Sequence, residues 1–163
     1  MKPALLVIDL QKAYRQGSAT ASMDATVPTI NRALALFRGK NLPVFWVQHL
    51  DADDRALPGL PGFDFIGGLD EKSVETHVRK TYNDGFHKTG LVGLLAEAGV
   101  DTVILTGFCA EHCVLATYWG AKNADLDPYL LLGSLASESE ANIRHVEAVT
   151  ATMSLEELER RLG

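Results

Sequence analysis

A chain of 163 residues with 47% apolar and 22% charged side chains has the make-up of one cored domain, 1–163, which excludes disordered, collagen-like and low-complexity classes. The 15 basic and 21 acidic residues give a net charge of −6, and the lysines and arginines are scattered rather than clustered. No nucleic-acid partner is expected, because phosphate contacts need a basic face.

The first element is the continuous apolar run Ala4–Ile8, which reads as a strand covered on both faces and stops at Asp9. It is too short for a signal-peptide core or a membrane span, so no membrane association and a cytoplasmic location are expected. Val27, Ile30, Leu34 and Phe37 recur at helical spacing, and Pro28 suits a first helical turn. Val44–Val47 is the second strand. Residues 49–72 carry Pro58, Gly59, Pro61, Gly62, Gly67 and Gly68 and read as a long functional loop. A short third strand is expected over Val74–Val78. Leu91, Leu94, Leu95 and Ala98 make a helical stripe that ends at Gly99. Thr102–Thr106 is the fourth strand, and a helix follows over Glu111–Asn123. Tyr129–Leu132 is the fifth strand and Ala148–Thr152 the last. Ser137 with Glu140, and Ser154 with Glu157, fit the S-x-x-E pattern that opens helices. Strands alternating with helices predict a three-layer α/β/α domain around a mainly parallel sheet of about six strands.

Parallel sheets bind ligands beyond the carboxyl ends of their strands. Three reactive residues fall there: Asp9 ends the first strand, Lys80 follows the third, and Cys113 sits in the turn after the fourth. Singly, each has a bland explanation: a turn cap, a solvated lysine, a small buried thiol. Together at one sheet edge they make a coherent nucleophilic site. A helix N-terminus and a nearby ammonium lower a thiol's pKa, and a buried carboxylate is a base for its proton. Reference values of about 3.9 and 8.5 put that transfer uphill by roughly 6 kcal/mol, and this environment narrows the gap. An activated thiolate is therefore expected. The turn Gly107–Cys113 also offers backbone N–H groups for an oxyanion. Cys109, at C-x-x-x-C spacing from Cys113, does not fit a redox pair, and two free thiols are expected.

These residues resemble those of the isochorismatase-like cysteine hydrolases, a family with nicotinamidases, N-carbamoylsarcosine amidases and ureido-amide hydrolases among its members. Leu5–Gln11 with Tyr14 is similar to the family's apolar strand, D-x-Q and aromatic. Arg79–Tyr82 with Phe86, Thr89 and Leu91 is similar to its lysine segment. Thr106–Thr117 resembles its nucleophile segment, G-x-x-x-x-x-C-V-x-x-T, and Gly133–Ser137 stands at its late D-A-x-A-S element. The resemblance implies Cys113 as nucleophile, Asp9 as general base and Lys80 as orienting cation. It also implies a non-proline cis peptide at Phe108–Cys109, with the N–H groups of Cys109 and Cys113 receiving the oxyanion. The implied reaction is hydrolysis of a small amide or ureide without a cofactor. Tyr14, His49, Tyr82, Trp119 and the 49–72 loop are candidates for lining the substrate pocket.

Departures from the family pattern are informative. The D-x-H metal motif of nicotinamidases is replaced by Gln48-His49-Leu50-Asp51, and no second histidine follows until His77, so no metal is expected. Gly133-Ser134 lacks the usual acid, and Tyr118-Trp119 replaces a small residue and an arginine. Two other functions stay open at this level: vinyl-ether hydrolysis of an isochorismate-type substrate, and an idle binding protein on the same fold. With the sheet using nearly the whole chain, the 49–72 loop or a neighbouring subunit is expected to provide the lid, which favours a homo-oligomer.

Overall fold

The structure, a computed structural model, describes residues 1–163. Six strands, β1 (Pro3–Ile8), β2 (Val44–His49), β3 (Thr76–Lys80), β4 (Thr102–Phe108), β5 (Asp127–Ala136) and β6 (Thr152–Met153), form one sheet. All pairings are parallel, in the order β3-β2-β1-β4-β5-β6. The helices are α1 (Ala19–Gly39), α2 (Leu91–Glu97), α3 (Leu115–Asn123), α4 (Glu140–Val149) and α5 (Leu155–Leu162). Alternation along β1 divides the core in two. Ala4, Leu6 and Ile8 pack with residues of α2, α3 and α4, whereas Leu5 and Val7 pack with α1 and α5. Each cluster holds 18 buried residues, so both faces of the sheet are covered, as its apolar strands require. This is the expected α/β architecture. No helix is long and apolar enough to cross a membrane.

Strand order reverses between β1 and β4, and a cleft opens there at the carboxyl edge. The two strands approach so closely that a Cβ on Gly107 would stand 2.0 Å from the Ile8 carbonyl oxygen. Gly107 has φ +117°, which side-chain-bearing residues rarely adopt. The β2–β3 connection contains one short 3₁₀ turn, Pro61–Phe63, and is tied to the segment after β1. Ile66 N–H donates to Leu10 O, Lys12 N–H to Asp64 O, and Gln48 Nε2 to Phe63 O, at 2.8–2.9 Å. Arg38 of α1 anchors the far end of this connection through Glu75 (Nε–Oε1 2.7 Å) and Asp70.

Several local expectations are corrected. Pro28 lies well inside α1 rather than in its first turn, because Ala19, Met23 and Thr26 extend the buried stripe toward the N-terminus. The third strand starts at Thr76, and Val74 is 91% exposed, so Lys80 ends the strand instead of following it. The fifth strand runs on to Ala136. Ser137 does not cap α4; Ser139 precedes the helix, and Ser137 Oγ donates to Glu111 Oε1. The last strand is only Thr152–Met153, since Ala148 and Val149 finish α4. At α5 the expected cap holds: Ser154 Oγ accepts the Glu157 N–H.

Candidate active site

Asp9 follows β1 directly, with φ +50°, a left-handed conformation that aspartate tolerates better than most residues. Its N–H donates to Val47 O at 2.9 Å, and the residue is 1% exposed. Lys80 reaches across the end of β2, and its Nζ donates to Asp9 Oδ2 at 2.7 Å, His49 Nδ1 at 2.8 Å and Tyr82 O at 3.1 Å. An ammonium has three donors and no acceptor, so all three are used and His49 Nδ1 must accept. The His49 proton then sits on Nε2. Burial, reinforced by the Lys80 charge, pushes the His49 pKa below its ordinary value and keeps the ring neutral. Gln11, fully buried, holds this end of β2 with two bonds: its Nε2 donates to His49 O at 3.0 Å, and its Oε1 accepts the His49 N–H at 2.7 Å.

Cys113 lies in a π-helical turn, Ala110–Val114, between β4 and α3. Such turns recur at functional sites. The Phe108–Cys109 peptide just before it is cis. An Asp9 carboxylate oxygen, a His49 ring nitrogen and Cys113 Sγ lie within 4.8 Å of one another. Asp9 Oδ1 is buried and has no hydrogen-bond partner, so this carboxylate keeps a free acceptor. The thiol itself approaches Asn83 Oδ1 at 3.6 Å. Thr117 Oγ1 fixes this corner: it donates to Cys113 O at 2.7 Å and accepts the Gly85 N–H at 2.9 Å. The topology thus joins Asp9, Lys80 and Cys113 at the carboxyl edge of the sheet, Lys80 from the last position of β3.

They line or underlie a cleft of about 390 Å³. Tyr14 and His49 line it, as does Phe108, whose ring stacks on Tyr14 at 5.9 Å. Tyr82 and Trp119 do not. Tyr82 contributes its carbonyl to Lys80, while its ring packs edge-on against His87 at 4.5 Å. Trp119 is 50% exposed and packs against Tyr118. Six residues beyond Cys113, it is rotated by about 240° on a regular helix, whereas Thr117 at i+4 returns to the same face. Four lining residues escaped the sequence reading: Asn83, His112, and Asp51 and Asp54 of the long loop. Asn83 had one signal, its place three residues after Lys80. The loop acids had only the expectation that the 49–72 loop covers the pocket, which singles out neither of them.

Two trios bring metal-binding atoms together, Asp9–His49–Cys113 and Cys109–Glu111–His112. In the first, the Lys80 ammonium already occupies Asp9 Oδ2 and His49 Nδ1 and would repel a cation. In the second, Glu111 Oε1 is engaged by Ser137 at 2.9 Å and Asn142 at 2.6 Å. The first trio therefore suits a metal poorly, whereas Glu111 Oε2 of the second is buried without a hydrogen-bond partner.

The electrostatics correct the expectation of a preformed thiolate. Burial, and then the Asp9 charge, push the Cys113 thiol up to about 12, outweighing the opposing effect of Lys80. Cys109 is also pushed up to about 12, by burial and by the facing Glu111 carboxylate. The resting Cys113 side chain is therefore a thiol. Iodoacetamide alkylation of Cys113 should accelerate about tenfold per pH unit from about pH 7 to 10, with no plateau near the usual thiol value of about 8.5. Peptide mass spectrometry across that range checks this. A plateau below about pH 9 would contradict a protonated resting thiol.

Comparison with known proteins shows the family of the chain. Residues 3–155 match the family model described as Isochorismatase domain. The chain is 30% identical over 143 residues to the uncharacterized isochorismatase family protein YrdC of Bacillus subtilis, covering 83% of this chain and 74% of that one. It is 36% identical over 118 residues to the streptothricin hydrolase of Streptomyces noursei, covering 70% of this chain but only 42% of that protein. The nicotinamidase of Acinetobacter baylyi is 25% identical, with 87% of this chain and 85% of that one covered. Among solved structures, an isochorismatase-like hydrolase from Alkaliphilus metalliredigens superimposes with a TM-score of 0.87 at 26% identity, with both chains fully covered.

Proposed function

This chain belongs to the isochorismatase family and is a hydrolase, and from that premise we propose that it cleaves a small amide or ureido C–N bond through a thioester on Cys113. The observation that carries the proposal is the convergence of Asp9, Lys80 and Cys113 at the β1–β4 switch point, with the Asp9 carboxylate within 4.8 Å of the thiol and one of its oxygens unpartnered. Relatives named for amide hydrolysis, such as the nicotinamidase, support the reaction class.

In this reading Cys113 Sγ attacks the carbonyl carbon as its proton passes to Asp9. Because the resting thiol is held up near 12, proton transfer accompanies C–S bond formation instead of preceding it. The oxyanion is received by the N–H groups of Cys109 and Cys113, where one such donor contributes about 10²–10³ in rate. Collapse breaks the C–N bond, and Asp9 returns the proton to the leaving nitrogen. Water then attacks the thioester while Asp9 takes its proton. The C–S bond breaks, the acid leaves, and Asp9 reprotonates the thiol. Lys80 orients Asp9 throughout, and His49 presents its Nε2 proton to the substrate. Ammonia release across a panel of small primary amides and ureides tests the proposal. Turnover of at least one is expected, and none across the panel would overturn it.

A further inference from the structure

The mouth of the cleft carries an unbalanced charge. Asp51 and Asp54 line it from one side, and neither is ion-paired within the chain. Asp51 Oδ1 accepts the N–H groups of Asp53 and Asp54 at 2.9 and 3.1 Å, and an antiparallel bridge joins Asp51 to Ala56. These bonds fix the turn, and both residues line the cleft. The lining contains no lysine or arginine, and the nearest ammonium, Lys80, is engaged by Asp9.

Independent features mark the same space as a ligand site. Asp9, 1% exposed, keeps an unpartnered Oδ1 there, and the buried Tyr14 hydroxyl also lacks a partner. The stacked Tyr14–Phe108 pair adds an aromatic wall to which a cation is attracted. The two lining carboxylates would repel an anionic substrate. We infer that the substrate is a cation: an amide bearing an ammonium or guanidinium group at its distal end, held by Asp51 and Asp54 while its carbonyl faces Cys113. This inference rests on the proposed amide hydrolysis and adds the charge class of its substrate.

Three amides of similar size differ in distal charge: 4-aminobutanamide, pentanamide and succinamate. Their binding to the Cys113→Ala protein, measured by calorimetry, separates recognition from turnover. 4-Aminobutanamide should bind about tenfold more tightly than pentanamide, with succinamate weakest, as expected for two partly exposed charge pairs. In D51N/D54N that ratio should fall close to 1, and added salt should shrink it in the parent protein. Equal affinities for the cation and pentanamide, tighter binding of succinamate, or no saturable binding of the cation would overturn the inference. Failure of the wild-type protein to release ammonia from any amide, with the cation preference intact in binding, would instead overturn the hydrolytic reading.

Discussion

Cys113→Ala is expected to abolish ammonia release from amide substrates, lowering kcat/KM by at least about 10⁴. No neighbouring group can replace the sulfur. Cys109 lies four residues away, but its thiol faces Glu111 and is held protonated, up to about 12. Cys109→Ala should therefore leave most of the activity, because the role assigned to that residue runs through its backbone N–H. The pair of variants also separates amide chemistry from vinyl-ether hydrolysis, which needs an acid more than a thiol. Activity that survives in Cys113→Ala would favour the second chemistry.

Breaking the Asp9–Lys80 pair should carry the second large effect. The pair is 2.7 Å apart with side chains 2% and 0% exposed, so neither charge has water to fall back on. Lys80→Met would leave the carboxylate buried beside the thiol without its counter-charge, at a cost of about 3–5 kcal/mol. Asp9→Asn would strand the ammonium and also remove the base, lowering kcat by about 10²–10⁴. Combining Asp9→Asn with Lys80→Met removes both charges, so much of the stability should return while activity stays lost. Urea unfolding of the three variants, with activity measured alongside, checks this. A Lys80→Met protein as stable as the parent would contradict a coupled buried pair.

How far the sequence disclosed this site depended on how each residue is held in place. Asp9, Lys80 and Cys113 were legible because they fall at strand ends, and a parallel sheet brings such ends to one edge. His49 was legible for the same reason, but its pairing with Lys80 was not, since β2–β3 register is a tertiary property. Trp119 misled because a large aromatic near the nucleophile looks like a pocket wall until the helical rotation is counted. The thiol pKa was misjudged for a different reason. Helix position and the nearby lysine are visible in the sequence, whereas the burial that outweighs them depends on the packing of Cys113 against the core. Asp51 and Asp54 were hidden most completely, because an Asx-type turn within a long loop decides where they face.

The same contrast appears in the fold. Ala4–Ile8 and Thr102–Thr106 declared themselves as apolar runs, and a strand buried on both faces belongs inside a parallel sheet. The two-residue β6 and the proline within α1 carry too little local signal, and tertiary packing decides them.

The central claim is a covalent thioester on Cys113. Rapid acid quench of the protein during turnover of a hydrolysed amide, followed by peptide mass spectrometry, tests it most directly. The account predicts an acyl adduct on the peptide at Cys113, none at Cys109, and its loss on hydroxylamine treatment. Turnover that persists in Cys113→Ala without any adduct would contradict it.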